Sequence, residues 1–213
     1  MSARIALVRH GEVHNPDHVV YADLDGFGLN ARGWAQAAAT AARLVELGVA
    51  AIVTSPLQRA VETGGAIAAS TGMAPTIDER LTEWLLGSRW AGTVWEDLPE
   101  VFPGELEAYL EHPTDLPFSP ESIDDVARRV EDAVADNVAE NGLVVFVSHQ
   151  DPVQSARIQL TGGALEHLHV SKPGHGSIVL LERRGMAWSE LEYWEPDQGL
   201  QFPPVEQAPA DSP

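Results

Sequence analysis

The sequence predicts a three-layer α/β/α sandwich on a mostly parallel sheet with an antiparallel edge strand. Ile5, Ala6, Leu7 and Val8 form an uninterrupted apolar run of strand length, the pattern of a strand covered on both faces. Ala51 to Thr54 and Leu143 to Val147 repeat the pattern, and each leads straight into a helix start. Near the C-terminus two strand-like runs flank Gly185, a turn that makes the last pair antiparallel.

Taken in order, the loop 14–28 is rich in Asn, Pro, Asp and Gly, and Asn30 then caps a helix over 31–47 that Gly48 ends. A strand over 50–54 precedes a helix over 56–71, with Ser55 as its N-cap and Pro56 at the first helical position. Thr76 and Ile77 form a short third strand. From 78 to 121 the alternation breaks: Gly, Pro, many carboxylates and Trp84, Trp90 and Trp95 replace it. This stretch reads as an insertion folded over the sheet edge as a cap, with a short helix over 105–111. The three tryptophans are either its core or an apolar wall for a ligand. Ser122, with Asp125 three residues on, opens a helix whose apolar positions are Ile123, Val126, Val130, Val134 and Val138, and Gly142 ends it. A strand over 143–147, a helix over 152–160 capped by Asp151, and strands over 177–181 and 188–194 complete the domain, 1–195. The Pro-rich stretch 196–213 reads as a flexible tail.

Composition narrows the function. With 213 residues, 44% of them hydrophobic, the chain has ample length for one core. The absence of cysteine excludes disulfides and thiolate catalysis. A net charge of -19 argues against nucleic acid or an anionic membrane as partner. No apolar stretch is long enough to span a bilayer, and no signal peptide precedes the first strand, so the expected location is cytoplasmic. Residues 78–140 hold 17 acidic and 4 basic side chains, and the three strand-to-helix junctions lie outside that segment.

Those junctions carry Arg9 and His10, then Arg59, then His149. In open α/β sheets ligands bind at the carboxyl ends of the strands. Clustered cations without obligate carboxylate partners repel one another, and an anion between them removes the repulsion. Phosphate suits the set, because helix N-termini and arginine forks both donate to tetrahedral oxygens. A neutral histidine among them can attack phosphorus and form a phosphohistidine, dividing one difficult displacement into two. Metal ligation by His10, His14 and His18 is disfavoured, since Gly11 and Pro16 prevent one helix from presenting all three.

The blocks Leu7-Val8-Arg9-His10-Gly11-Glu12, Leu29-Asn30-Ala31-Arg32-Gly33, Ser55-Pro56-Leu57-Gln58-Arg59-Ala60 with Glu62-Thr63, Arg80-Leu81-Thr82-Glu83 and Val147-Ser148-His149 resemble the histidine phosphatase superfamily, branch 1. The resemblance implies a phosphoglycerate mutase-like fold and His10 as the phosphorylated nucleophile. It implies phosphate contacts from Arg9, Arg59 and His149, a supporting contact from Asn15, and Glu83 as proton donor and later as base. Leu81, Trp84, Leu85 and Leu86 around Glu83 suit a carboxyl that holds its proton near neutrality. Glu12 is the competing acid and is read as structural. The expected activity is metal-independent phosphomonoester hydrolysis without a cofactor, because the cap has no Lys/Arg cluster for a doubly phosphorylated one. The alternatives are mutase-type phosphoryl transfer and a noncatalytic module that binds a phosphorylated ligand. The expected partners are a small phosphorylated substrate and, at most, a second copy of the chain in a homodimer.

Overall fold

A computed structural model describes residues 3–139 and 142–196. The segment beginning at 196 that reads as a flexible tail lies, from 197 onward, outside the described residues. Six strands, β1 (Ala3–Arg9), β2 (Val49–Thr54), β3 (Thr76–Ile77), β4 (Leu143–Ser148), β5 (Ile178–Arg184) and β6 (Ala187–Trp194), form one sheet in the order β3-β2-β4-β1-β5-β6. Strands β1 to β4 pair in parallel. β5 pairs antiparallel with both β1 and β6, so the edge strand β6 joins through an antiparallel ladder.

Alternation along β1 divides the core. Ile5 and Leu7 face α6 (Ile123–Asn137) and α7 (Gln150–Leu160), packing with Val130, Val134, Val153, Ala156 and Phe146. Ala6 and Val8 face α1 (Ala31–Leu47) and α2 (Gln58–Thr71), packing with Ala41, Leu44, Ala60 and Ile67. This is the three-layer arrangement expected from the apolar runs. Burying each such Leu or Ile contributes about 1.5–3 kcal/mol.

Helix ends show where local signals sufficed. Asn30 accepts from the Gly33 backbone N–H and Gly48, at φ 78°, closes α1, as expected. Ser122 caps α6 through the Asp125 N–H, but the helix stops at Asn137, with Val138 extended, well before Gly142. α2 opens at Gln58 behind Leu57, not behind Ser55, and α7 opens at Gln150 behind His149, so Asp151 and Pro152 lie inside its first turn. β5 begins at Ile178 and runs on to Arg184. In both helix starts the expected cap side chain is taken by site partners described below.

Residues 78–121 hold α3 (Leu85–Trp90), α4 (Leu98–Val101) and α5 (Glu105–Glu111), joined by short turns. Trp84, Leu86, Trp90, Leu98 and Tyr109 bury themselves against Ile123, Val126, Ala127 and Ile158 of α6 and α7 as a third apolar cluster. The loop after β1 is tied to this segment. Val20 N–H donates to Thr93 O at 2.8 Å, Gly92 N–H to Val20 O at 2.9 Å, and Trp95 N–H to His18 O at 2.9 Å. No helix among the described residues is long and apolar enough to cross a membrane.

Candidate active site

The sheet register brings the junction residues together. Arg9 lies opposite Ser148 across β1 and β4, while Thr54 at the end of β2 lies opposite Val147. Arg9, His10, Arg59 and His149 therefore gather at one edge, and His10, Arg59 and His149 are each at most 1% exposed. β5 runs the other way, so it starts at this same edge. The turn before it adds His175, a residue the sequence reading did not single out; its signal is its place just ahead of an antiparallel strand.

Hydrogen bonds fix the tautomer of His10. Nδ1 lies 2.7 Å from the Gly11 carbonyl, which can only accept, so Nδ1 carries the proton. Arg59 Nε, which can only donate, approaches Nε2 at 3.2 Å, so Nε2 presents its lone pair. Burial, followed by the charges of Arg59, His149 and Arg9, holds the imidazole well below the usual histidine range. His10 is thus a neutral base with Nε2 turned toward Arg59. The rings of His149 and His175 stand 5.1 and 5.6 Å from it, centroid to centroid.

The loop that carries His10 is held by motif residues acting structurally. A Cβ on Gly11 would stand 2.4 Å from Gly33 O, and one on Gly33 would collide with the Glu12 carbonyl, so only a glycine pair permits this approach. Thr63 Oγ1 accepts from the Gly11 N–H at 3.1 Å, and Gln36 Oε1 from the Glu12 N–H at 2.8 Å. Glu12 itself accepts from Asn30 Nδ2 at 2.7 Å, in line with its structural reading. Glu62 accepts from the Leu29 N–H at 2.6 Å, joining α2 to the turn before α1.

Each cation is aimed by a neutral acceptor. Arg59 Nη2 donates to Ala22 O at 2.7 Å, and its guanidinium lies 4.7 Å from the Tyr21 ring centre. Arg9 donates through Nη1 to Pro173 O at 2.9 Å and through Nη2 to His175 Nε2 at 2.8 Å. Burial and then Arg9 push His175 down to about 3, so it stays neutral and accepts. Ser55 Oγ lies 2.8 Å from His149 Nε2 and accepts from the Leu57 N–H at 3.3 Å. Ser55 therefore serves a histidine 94 residues away as well as the turn before α2. Arg9 Nε and His149 Nδ1 are buried without a hydrogen-bond partner in the protein, an arrangement that costs stability.

Glu83 is half-buried and lines a cavity of about 420 Å³ together with Arg9, Trp84, Tyr109 and Asp151. Burial and then the Asp151 charge push its carboxyl up to about 7, although the Trp84 N–H donates to Oε1 at 2.9 Å. Leu81, Trp84 and Leu86 are buried around it as expected, whereas Leu85 points to solvent. The backbone here is pinned from α6, where Arg129 donates to the carbonyls of Arg80 at 2.5 Å, Thr82 at 2.8 Å and Glu83 at 3.1 Å. Ser148 Oγ adds a bond to Leu81 O at 2.7 Å. Asp151 is not a helix cap: it takes Lys172 Nζ at 2.8 Å and Tyr109 Oη at 3.1 Å, so its charge is compensated from below.

Asn15 also lines the cavity, but its side chain closes its own loop, with Nδ2 donating to Val19 O at 2.9 Å and Oδ1 accepting from the Val19 N–H. Among the described residues no three His, Asp or Glu side chains converge as metal ligands.

Known proteins resemble this chain in sequence and in fold. An uncharacterized protein of Mycobacterium tuberculosis is 41% identical over 175 residues, covering 77% of this chain and 81% of its own. The 2,3-bisphosphoglycerate-dependent phosphoglycerate mutase of Thermoplasma acidophilum is 28% identical over 151 residues, covering 70% and 72%. The structure of a mycobacterial glucosyl-3-phosphoglycerate phosphatase with VO3 superposes with a TM-score of 0.79 at 27% identity, covering 91% of this chain and 98% of that one. The family model of the histidine phosphatase superfamily (branch 1) matches residues 5–195. This chain, with that model matched along nearly its whole length, belongs to the histidine phosphatase superfamily, and two of the three relatives named above are a phosphatase and a mutase.

Proposed function

We propose that this protein is a metal-independent phosphomonoesterase working through a phosphohistidine at His10. The observation that carries the reading is the His10 tautomer: a neutral, buried imidazole with its Nε2 lone pair directed to the Arg59 guanidinium. An ester phosphate drawn to Arg9 and Arg59 would take over the Arg59 Nε donor and free the Nε2 lone pair for phosphorus. The orphaned Arg9 Nε supplies a further donor for its equatorial oxygens, and His149 Nδ1, with its proton on that nitrogen, supplies another.

In the first step Nε2 bonds to phosphorus, the bond from phosphorus to the ester oxygen breaks, and Glu83 gives its proton to the departing alkoxide. In the second, Glu83 takes a proton from water, the hydroxide oxygen bonds to phosphorus, and the P–N electron pair returns to Nε2. A carboxyl near 7 suits both duties, since it holds and gives up its proton at neutral pH. Asn15 acts on this pathway through the loop it closes.

Mutase-type transfer is less well supported. A doubly phosphorylated cofactor must place a second phosphate in a cavity lined by Glu83, Glu96 and Asp151. A purely binding module has no use for a proton-holding Glu83. The test is hydrolysis of a generic aryl phosphate by wild type and His10→Ala, with and without chelator. Chelator-insensitive turnover that vanishes in the variant, together with an acid-labile phosphoryl adduct on wild type alone, is expected. Phosphate binding without turnover would instead favour the binding module.

A further inference from the structure

The cavity next to Arg9 and Glu83 has a chemistry that phosphate capture does not explain. Val19, Val20, Leu86, Trp84, Trp90 and Trp95 form much of its wall. At about 420 Å³ it has room for a group of one or two rings beyond the phosphoryl site. The indole N–H groups of Trp84 and Trp90 are spent elsewhere, on Glu121 O at 2.8 Å and Glu105 Oε2 at 2.9 Å. What these rings offer the cavity is therefore rigid apolar surface. Trp95 meets Trp90 edge-on at 6.5 Å yet is 42% exposed, a large aromatic at the cavity mouth with little else to cover it.

The acidic and basic side chains on the lining are Arg9, His18, Glu83, Glu96 and Asp151. Arg9 is committed to the phosphoryl end, His18 lies 3.4 Å from Glu96, and Asp151 is held by Lys172. A leaving group with its own carboxylate or second phosphate would thus lie among acidic side chains already paired or protonated, with no uncommitted lining cation to receive it. An uncharged apolar group meets neither cost.

Resting on the phosphomonoesterase reading, we propose that the substrate is a phosphate monoester of an uncharged alcohol with an apolar or aromatic body. That body lies against Trp84, Trp90 and Trp95, and phosphoglycerate-like esters are rejected. The stitching of the 15–20 loop to residues 92–95 makes the two walls one unit, so the site is formed before the substrate arrives.

The test compares kcat/KM for 2-phenylethyl phosphate, ethyl phosphate and 3-phosphoglycerate, all esters of aliphatic alcohols that need a proton to leave. The phenylethyl ester is expected to exceed the ethyl ester by roughly 30-fold from buried ring area, and 3-phosphoglycerate to fall below both. Trp95→Ala should shrink the phenylethyl-to-ethyl ratio about fivefold. The wild-type series decides the matter even if that variant folds poorly. Equal rates for the two alkyl esters, or preference for 3-phosphoglycerate, would overturn the substrate class and leave the hydrolase reading standing. No turnover of any ester would sink the hydrolase reading instead. In that case calorimetry with 2-phenylethylphosphonate against ethylphosphonate decides the cavity: at least about tenfold tighter binding of the former supports it, and equal binding overturns it.

Discussion

Replacing Glu83 with glutamine keeps the shape of the side chain and removes its proton chemistry, and the structure sets two magnitudes for the result. The first concerns the leaving group. Because kcat/KM reads the step that releases the alcohol, an alkyl ester should lose about 10²- to 10⁴-fold, while an aryl ester, whose phenolate leaves unaided, loses far less. The wild-type alkyl profile should fall as pH rises through about 7, and that limb should be missing in the variant. The second magnitude concerns stability. Glu83 ionises near 4.5 when unfolded and near 7 when folded, so between those values the folded state binds the extra proton. Stability is therefore highest below 4.5 and declines as pH rises to about 7. At about 1.4 kcal/mol per pH unit the decline is at most about 3.5 kcal/mol. Urea denaturation should accordingly find Glu83→Gln more stable than wild type at pH 8, by up to that amount, with the advantage gone at pH 4. Equal losses for alkyl and aryl esters, or a stability difference independent of pH, would refute the assignment of Glu83 as the acid.

Other residues give separate tests. Asp151→Asn removes the charge that helps keep Glu83 protonated, so the alkaline limb of the alkyl-ester profile should move to lower pH; an unmoved limb would show that burial alone sets it. His175→Ala takes the acceptor from Arg9 Nη2, and inhibition by inorganic phosphate should weaken roughly tenfold while the position of the pH limbs holds. Gly11→Ala drives a methyl to within 2.4 Å of Gly33 O, where backbone must move on one side or the other. A loss of about 1–3 kcal/mol in urea denaturation is expected, with turnover falling further because His10 Nδ1 is held by the Gly11 carbonyl.

Short-range signals were sufficient for much of this molecule. The apolar run of β1, the alanine-rich α1 between Asn30 and Gly48, and the helical spacing of Ile123 to Val134 are properties of adjacent residues; β1 and α1 formed near their expected limits, and α6 started where expected but stopped short of Gly142. Arg9, His10, Arg59 and His149 were legible as one cluster because parallel strands send their carboxyl ends to the same edge. Where local cues failed, a tertiary partner had claimed the residue: Ser55 turns to His149, and Asp151 to Lys172, so neither caps its helix. The tryptophans are open in sequence between cap core and ligand wall; Trp84 and Trp90 lie in the cap core and also line the cavity.

What the sequence determined by itself was the sheet, its two helical layers and the cationic edge, all of which follow from periodicity and from strand direction. The tertiary structure decided the chemistry of that edge. It alone brings His175 to Arg9 across 166 residues and Arg129 to the Glu83 backbone across 46. It alone fixes the proton on His10 Nδ1 and surrounds Glu83 with apolar side chains and Asp151. Hydrogen-bond direction and local dielectric depend on atoms that only folding makes neighbours, and those two quantities distinguish a nucleophile and an acid from a histidine and a glutamate.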